Sequence, residues 1–459
     1  MYMKTDMTTG CPIRHIVMFL IPLLIGNTFQ QFYNMADTLI VGRYLGVDDL
    51  AAVGSSGSII FLITGFAIGL TAGLSIIISQ HYGGRDYEGV KRDLAASILI
   101  SMSVAVIFTI VSVIFSRQLL MFMRTPGNIL DGNILDGANR YVKVVYGGMC
   151  ATVMFNLLSN ALLAVGDSRM PLVFLSVACI VNILLDILLI AVFGMGVEGA
   201  ALATVLSQII SVICCIVYIA RRVAVFHLNR QSFQFIPRDV KQQIKMGFSM
   251  GFQSSIISIG SILVQVALNS LGSIYVASYA VAEKIESLVH IPLMSFGMTM
   301  AAYVGQNYGA GNLSRIRKGV RQCLAMSVTF GIVAGTMIFF QGFRLVGIFV
   351  PGELQVMENA QIHLKISGEF FFILAVLYVV RYSLQGVGQS VIPTFAGIME
   401  LIMRAAAAVF LSGYRGFEGV CWANPLAWLG ACVPLCLAYG YTIRKMKKSF
   451  KFIGSDVCK

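Results

Sequence analysis

Gln80-His81-Tyr82-Gly83 returns 226 positions later (306 − 80) as Gln306-Asn307-Tyr308-Gly309, and that return decides how the chain is built. The same offset carries Leu45-Gly46, Ala51 and Gly54 onto Leu271-Gly272, Ala277 and Ala280. Gly166-Asp167-Ser168 with Pro171 matches Gly388-Gln389-Ser390 with Pro393 at an offset of 222 (388 − 166). The shorter offset has a source in the first copy, where Gly127 to Asp131 is repeated at once as Gly132 to Asp136; this duplication reads as tolerated slippage in an outside loop and is assigned no role. The second half of the chain is therefore a copy of the first. Long repeats in an apolar chain belong to membrane transport proteins, whose sites lie where the repeats meet.

The 459 residues are 57% hydrophobic and 12% charged, against about a quarter charged in soluble domains. Such a chain belongs in a bilayer. Met1 to Gly10 is polar and the apolar stretch from Ile13 runs on without a small-residue cleavage site, so the first apolar segment is expected to stay as a helix. Most cysteines fall inside apolar runs and no C-x-x-C pair occurs, which predicts small buried hydrophobes with no disulfide framework. The net charge of +12 is spread through short loops and does not form a nucleic-acid patch.

A hydrocarbon core about 30 Å thick needs about 20 apolar residues per helix. The chain offers twelve stretches, at 13–41, 51–80, 94–116, 138–164, 170–193, 198–220, 246–270, 276–304, 320–342, 361–387, 392–412 and 420–443. The expected fold is all-α and membrane-integral: twelve transmembrane helices in two parallel six-helix repeats. Residues 1–220 form an N-terminal lobe, 221–245 a linker, and 246–459 a C-terminal lobe with a basic tail. Basic residues gather on one side, at Lys4, Arg14, Arg85, Lys91, Arg92, the run from Arg221 to Lys245, Arg315 to Arg321 and the tail, and are sparser on the other, at Arg43, Arg117, Arg124, Arg140, Lys143, Arg344, Lys365 and Arg415. The positive-inside rule then puts both termini and the linker in the cytoplasm of a cell-membrane protein.

Ionisable residues inside apolar helices are the informative ones, because each costs about 2.5–3.5 kcal/mol to place at mid-membrane and usually lines a pathway. Asp37 lies near the end of the first span. Asn182 and Asp186 lie four apart on the fifth and share a face. Two carboxylates brought together in a poorly hydrated pocket favour taking up a proton, and the same oxygens suit a hard cation such as Na⁺. The second copy lacks this set: the offset of 222 puts Arg404 opposite Asn182 and Ala408 opposite Asp186, and the offset of 226 puts Leu263 opposite Asp37. It carries instead Glu283, Lys284, Glu286 and His290, then Glu369 and Arg381, then Glu400 with Arg404, which are spaced for an i, i+4 structural ion pair. No G-x-x-x-x-G-K-[ST] sequence occurs, so no ATP-binding site is expected, and no cofactor.

Pro22 followed by Gln30-Gln31-Phe32-Tyr33-Asn34-Met35-Ala36-Asp37, then Val41-Gly42-Arg43-Tyr44-Leu45-Gly46, Leu50-Ala51-Ala52-Val53-Gly54, and Gly305-Gln306-Asn307-Tyr308-Gly309-Ala310-Gly311 after Pro292-Leu293, together resemble the multidrug and toxic compound extrusion (MATE) family over nearly the whole chain. The resemblance implies two six-helix lobes around a central cavity and efflux of amphipathic, mostly cationic compounds in exchange for H⁺ or Na⁺. It is similar in its first lobe to the DinF-like and archaeal members, whose cation site here reads Asp37, Asn182, Asp186 and Thr204. The NorM-like second-lobe site is matched only at Glu369, since the seventh span offers Gln253 and Gln265 and no acid.

The resulting expectation is a cation-coupled (H⁺ or Na⁺) multidrug efflux antiporter working by alternating access, not an enzyme. Asp37, Asn182, Asp186 and Thr204 would take the ion, as a metal site if it is Na⁺. Gln30, Tyr33, Asn34, Glu283, Glu286 and Glu369 would face the substrate. Small-molecule drugs or organic cations and membrane lipids are the expected partners, nucleic acid is not, and the chain is expected to be a monomer. A lipid-linked precursor flippase is the alternative; an anionic head group would call for more basic residues than Lys284, Arg381 and Arg404.

Overall fold

A computed structural model describes residues 6–122 and 134–456. The first five residues of the duplication, with Gly132 and Asn133, lie outside them, as do Lys4, Arg124 and residues 457–459 of the tail. The chain forms α1 (Pro12–Tyr44), α2 (Val47–Gly83), α3 (Tyr87–Phe122), α4 (Ile134–Gly147), α5 (Met149–Ala164), α6 (Arg169–Asp186), α7 (Val197–Arg222), α8 (Pro237–Leu271), α9 (Ser273–Gly309), α10 (Leu313–Phe349), α11 (Leu354–Gly386), α12 (Val391–Ala406), the short α13 (Ser412–Arg415) and α14 (Phe417–Cys421), and α15 (Ala423–Asp456). Ten helices among the described residues are long and apolar enough to cross a membrane, and twelve if each of two bent pairs counts as one span. No strand occurs among them. This is the all-α, multi-pass membrane fold expected, and helices are what hydrocarbon permits, because each backbone N–H finds its acceptor within the same segment. Pro12 and Pro237 occupy the first positions of α1 and α8, where a missing N–H leaves nothing unsatisfied.

The sequence repeat is also a repeat of turns. Gly46 and Gly272 both take positive φ (94° and 122°), as do Gly166 and Gly388 (86° and 83°) and Gly194 and Gly416 (66° and 56°). Arg85 (φ 59°) stands where the second copy has Gly311 (φ 69°), and is the sole non-glycine of positive φ among the described residues. Without a Cβ that geometry is unstrained; with one it is disfavoured.

The two bends also fall in corresponding spans. The fourth breaks by 48° between α4 and α5, and the tenth by 51° between Leu354–Gly368 and Phe371–Gly386. A helix bends sharply only for a local reason. At Gly148 a Cβ would lie 2.2 Å from Val205 Cγ2 of α7, and a Cβ on Gly335 of α10 would lie 2.2 Å from the Gly368 carbonyl oxygen. The small residue at each break admits a neighbouring helix, whose backbone comes close at Gly368 and whose Val205 side chain comes close at Gly148.

By internal packing the chain forms two compact units. One comprises Ile21–Tyr82 and Asp86–Gly251; the other comprises Asp6–Leu20, Gly83–Arg85 and the described residues from Phe252 on. The divisions therefore fall inside α1 and α8, and α8 begins within the segment 221–245.

In the second unit the residues before α1 are held by side chains made some 300 positions later. Arg315 donates through Nη1 to the Gly10 carbonyl (2.6 Å), through Nη2 to those of Met7 (2.9 Å) and Thr9 (2.8 Å), and through Nε to Asn307 Oδ1 (3.0 Å). Asn307 Nδ2 also donates to the Met7 carbonyl (3.1 Å), and the Met7 N–H donates to Gln306 Oε1 (3.1 Å). The repeated Gln306-Asn307 motif is here a backbone clasp.

The expected Glu400–Arg404 pair is not formed. Glu400 is paired with Arg381 of α11, while Arg404 donates to the Ile257 carbonyl (3.2 Å) on α8. Spacing along α12 allows the i, i+4 contact, but Arg381 faces Glu400 across the helix boundary and takes it. Both partners are buried, so Arg381→Gln and Glu400→Gln are each expected to destabilise the protein by about 3–5 kcal/mol, with the double substitution recovering much of the loss. Thermal unfolding in detergent checks this; recovery by Arg404→Gln in place of Arg381→Gln would reject the pairing. Gly335→Leu is expected to cost about 2 kcal/mol or more through overpacking against Gly368, while Gly413→Ala, which meets open space, should leave the melting temperature unchanged.

Candidate cation-binding site

Three helices of the first unit bring the acidic cluster together. α1 carries Tyr33 and Asp37 one turn apart, with Thr38 Oγ1 donating back to the Asn34 carbonyl (2.8 Å), so that its hydroxyl is satisfied within the helix. α6 starts at a turn fixed by Asp167, whose Oδ1 accepts from the N–H groups of Arg169 and Met170 (3.2 Å each) and whose Oδ2 accepts from Tyr218 Oη (2.9 Å). One face of α6 then buries Asn182 and Asp186, both 0% exposed. Directly after Asp186 the helix widens into a π-helical segment over Ile187–Val192, a distortion often found at functional sites. Gly194 turns the chain into α7, which returns alongside α6 and presents Thr204.

Asn182 ties α6 to α7. In the amide orientation that satisfies both its groups, Nδ2 donates to Asp186 Oδ2 (2.9 Å) and the amide oxygen accepts from the Thr204 backbone N–H (3.2 Å). Tyr33 Oη donates to Thr204 Oγ1 (3.3 Å), and the Asp37 and Asp186 carboxyl groups come within hydrogen-bonding reach of each other. Tyr141 of α4, which nothing in the sequence singled out, is buried within range of the charge on both carboxylates.

Two oxygens are left over. Asp37 Oδ1 and Asp186 Oδ1 are buried and have no hydrogen-bond partner. Nor does a basic group neutralise them: among the described residues, the ion pairs of this unit lie elsewhere, at His81–Asp93, Lys91–Glu88, Arg92–Asp86, Arg117–Asp136 and Arg140–Glu198. Neighbouring carboxyl groups whose buried oxygens lack donors are suited to a proton shared between them or to a small cation.

The other residues expected at a substrate surface fall into separate groups. Gln30 and Asn34 are exposed on α1, while half-buried Tyr33 is drawn into the acidic cluster. In the second unit Glu283 is exposed, Glu286 is buried against His363, and Glu369 is exposed on α11 beside Phe339, Phe340 and Phe372.

Comparison with known proteins agrees with this architecture. The MatE family pattern matches residues 22–188 and again 250–410, once in each repeat. The chain is 28% identical over 439 residues to the probable multidrug resistance protein YoeA of Bacillus subtilis, covering 93% of each chain. It is 26% identical over 451 residues to the probable multidrug resistance protein YpnP of the same organism, covering 97% of this chain and 98% of that one. Among solved structures, a MATE protein in a bent conformation superposes with a TM-score of 0.89 at 23% identity, over 97% of this chain and 98% of the other. An outward-facing multidrug resistance MATE transporter gives 0.88, also at 23% identity, over 97% and 99%. The twofold match of the family pattern, one per repeat, places this chain in the MatE family of multidrug and toxic compound extrusion transporters.

Proposed function

We propose that the protein exports amphipathic, mostly cationic small molecules from the cell in exchange for an inward-moving cation, with Asp37 and Asp186 as the coupling site and Asn182 and Thr204 in support. The carrying observation is the pair of buried carboxylate oxygens, one on each aspartate, that no protein donor satisfies. A carboxylate left so in an apolar bundle is stable only when a positive charge arrives. Relatives named as multidrug resistance proteins support the efflux reading. The chain works as a monomer in the cell membrane with both termini in the cytoplasm, the orientation that its basic loops favour. Arg381 and Arg404 are engaged with Glu400 and the Ile257 carbonyl, which removes two of the three basic residues that an anionic lipid head group would need.

The proton fits the cluster better than Na⁺. The Asn182 amide oxygen is occupied by the Thr204 N–H, leaving two carboxylates and one hydroxyl, fewer oxygens than hard cations gather. A proton needs only the two facing carboxylates.

Exchange requires that drug and proton favour different states of the transporter, so that each lowers the other's affinity. Asp37→Asn and Asp186→Asn should each express and fold but lose drug efflux, because the substitution removes a burial penalty along with the ion ligand. Ethidium efflux at wild-type rate in either variant would remove the assignment. For the ion itself, proteoliposomes loaded with ethidium should empty under an inward pH gradient in sodium-free buffer. Transport that waits for an inward sodium gradient and ignores pH would make the site a sodium site.

A further inference from the structure

Two thiols stand side by side on α15. Cys432 and Cys436 are four residues apart and share a face of the helix, and their Sγ atoms are 3.8 Å from each other. Both are free. The face points outward: Cys436 is exposed and Cys432 half-buried, and Val433 and Leu437 beside them are 60% and 71% exposed. Cys436 precedes Arg444, the first basic residue of the tail, by eight positions (444 − 436), which at about 1.5 Å per residue puts it about 12 Å inside the span. Whatever reaches the pair therefore arrives through lipid.

The spacing and the surroundings choose the ligand. Two sulfurs bonded at about 2.3 Å to one soft atom stand about 4.6 Å apart when the bonds are collinear and about 3.8 Å apart at a tetrahedral angle. A linear bis-thiolate, of the kind Cu(I) or Hg(II) forms, would have to open the pair by about 0.8 Å, whereas a bent one fits it closed. Zn²⁺ is bent as well but takes four ligands, and among the described residues no third His, Cys, Asp or Glu joins the two thiols. Arsenic(III) that already carries one carbon is bent, needs only two sulfurs, and gives an uncharged product that hydrocarbon accepts.

We propose that Cys432 and Cys436 form a covalent capture site for mono-organyl arsenic(III) compounds dissolved in the membrane. From an arsenical R–As=O, each sulfur forms one bond to arsenic, the arsenic–oxygen bond breaks, and the two thiol protons leave with that oxygen as water. Nothing is oxidised or reduced. The arsenic closes the helix turn that contains Pro434, a residue without an N–H to give the helix. The site stands apart from the efflux reading and from both aspartates of the first unit.

The test is intact-mass spectrometry of the full-length purified protein treated with phenylarsine oxide and then washed with a monothiol. The wash is 2-mercaptoethanol at about 0.1 mM, below the effective concentration of about 1 mM or more at which a thiol tethered beside its neighbour acts. A bridged arsenic survives it, and an arsenic on one sulfur is stripped. Wild type is expected to keep one phenylarsenic group per chain and to release it to 2,3-dimercaptopropanol. Cys432→Ala and Cys436→Ala should each retain less than about a tenth as much, while Cys214→Ala/Cys215→Ala, which alters adjacent cysteines of α7, should match wild type. Undiminished retention by Cys432→Ala/Cys436→Ala puts the arsenic elsewhere, and undiminished retention by either single variant denies the bridge; each overturns the site. So does wild type that keeps no arsenic although N-ethylmaleimide labels both cysteines.

Discussion

Hydrocarbon offers no hydrogen bonds, and the rest of this structure follows from that deprivation. Backbone groups meet it by being helical almost throughout the described residues. Side chains meet it by pairing: Arg381 with Glu400, Glu286 with His363, Gln253 with Gln385 (2.9 Å) and with the Pro393 carbonyl (3.0 Å). Other buried polar atoms also lack a hydrogen-bond partner, Arg381 Nε and Gln385 Oε1 among them, but Asp37 Oδ1 and Asp186 Oδ1 belong to two carboxyl groups of one cluster with no basic group paired to either. They would be unremarked at a water-facing surface.

The repeats keep their turns and bends while exchanging their chemistry. Both copies preserve the glycine turns and the broken fourth span, and both widen into a π-helical segment in the fifth, over Ile187–Val192 and Ala407–Leu411. Around those shared distortions the first copy places Asn182 and Asp186, the second Arg404 and Ala408. Duplication has conserved what backbone packing requires and left free the side chains that decide which charge a unit accepts.

The legible part of the sequence was what solvent and periodicity dictate. Twelve apolar stretches, the repeat offsets, and the polar residues Asp37, Asn182 and Asp186 all stand out because hydrocarbon penalises anything else. Thr204 looks like any helical threonine and was found by family resemblance alone. The hydrogen bond from the Tyr33 hydroxyl to Thr204, made across 171 positions, has no signal in the sequence. Arg381 as the partner of Glu400 was missed for the same reason: spacing within a helix reports contacts along it, not contacts between helices. The bends at Gly148 and Gly368 depend on which helix lies against each glycine, information a linear pattern does not hold.

The clasp at Arg315 bears on how the protein is made. Its acceptors, the carbonyls of Met7, Thr9 and Gly10, leave the ribosome well before the guanidinium that holds them, which is 305 to 308 residues behind. At about 5–20 residues per second, that is a wait of about 15–60 s. Through the insertion of eight spans the segment Met7 to Gly10 waits for Gln306, Asn307 and Arg315, and it is fastened only once the second unit has begun to assemble. The segment ahead of α1 is therefore secured during biogenesis by a residue of the second half.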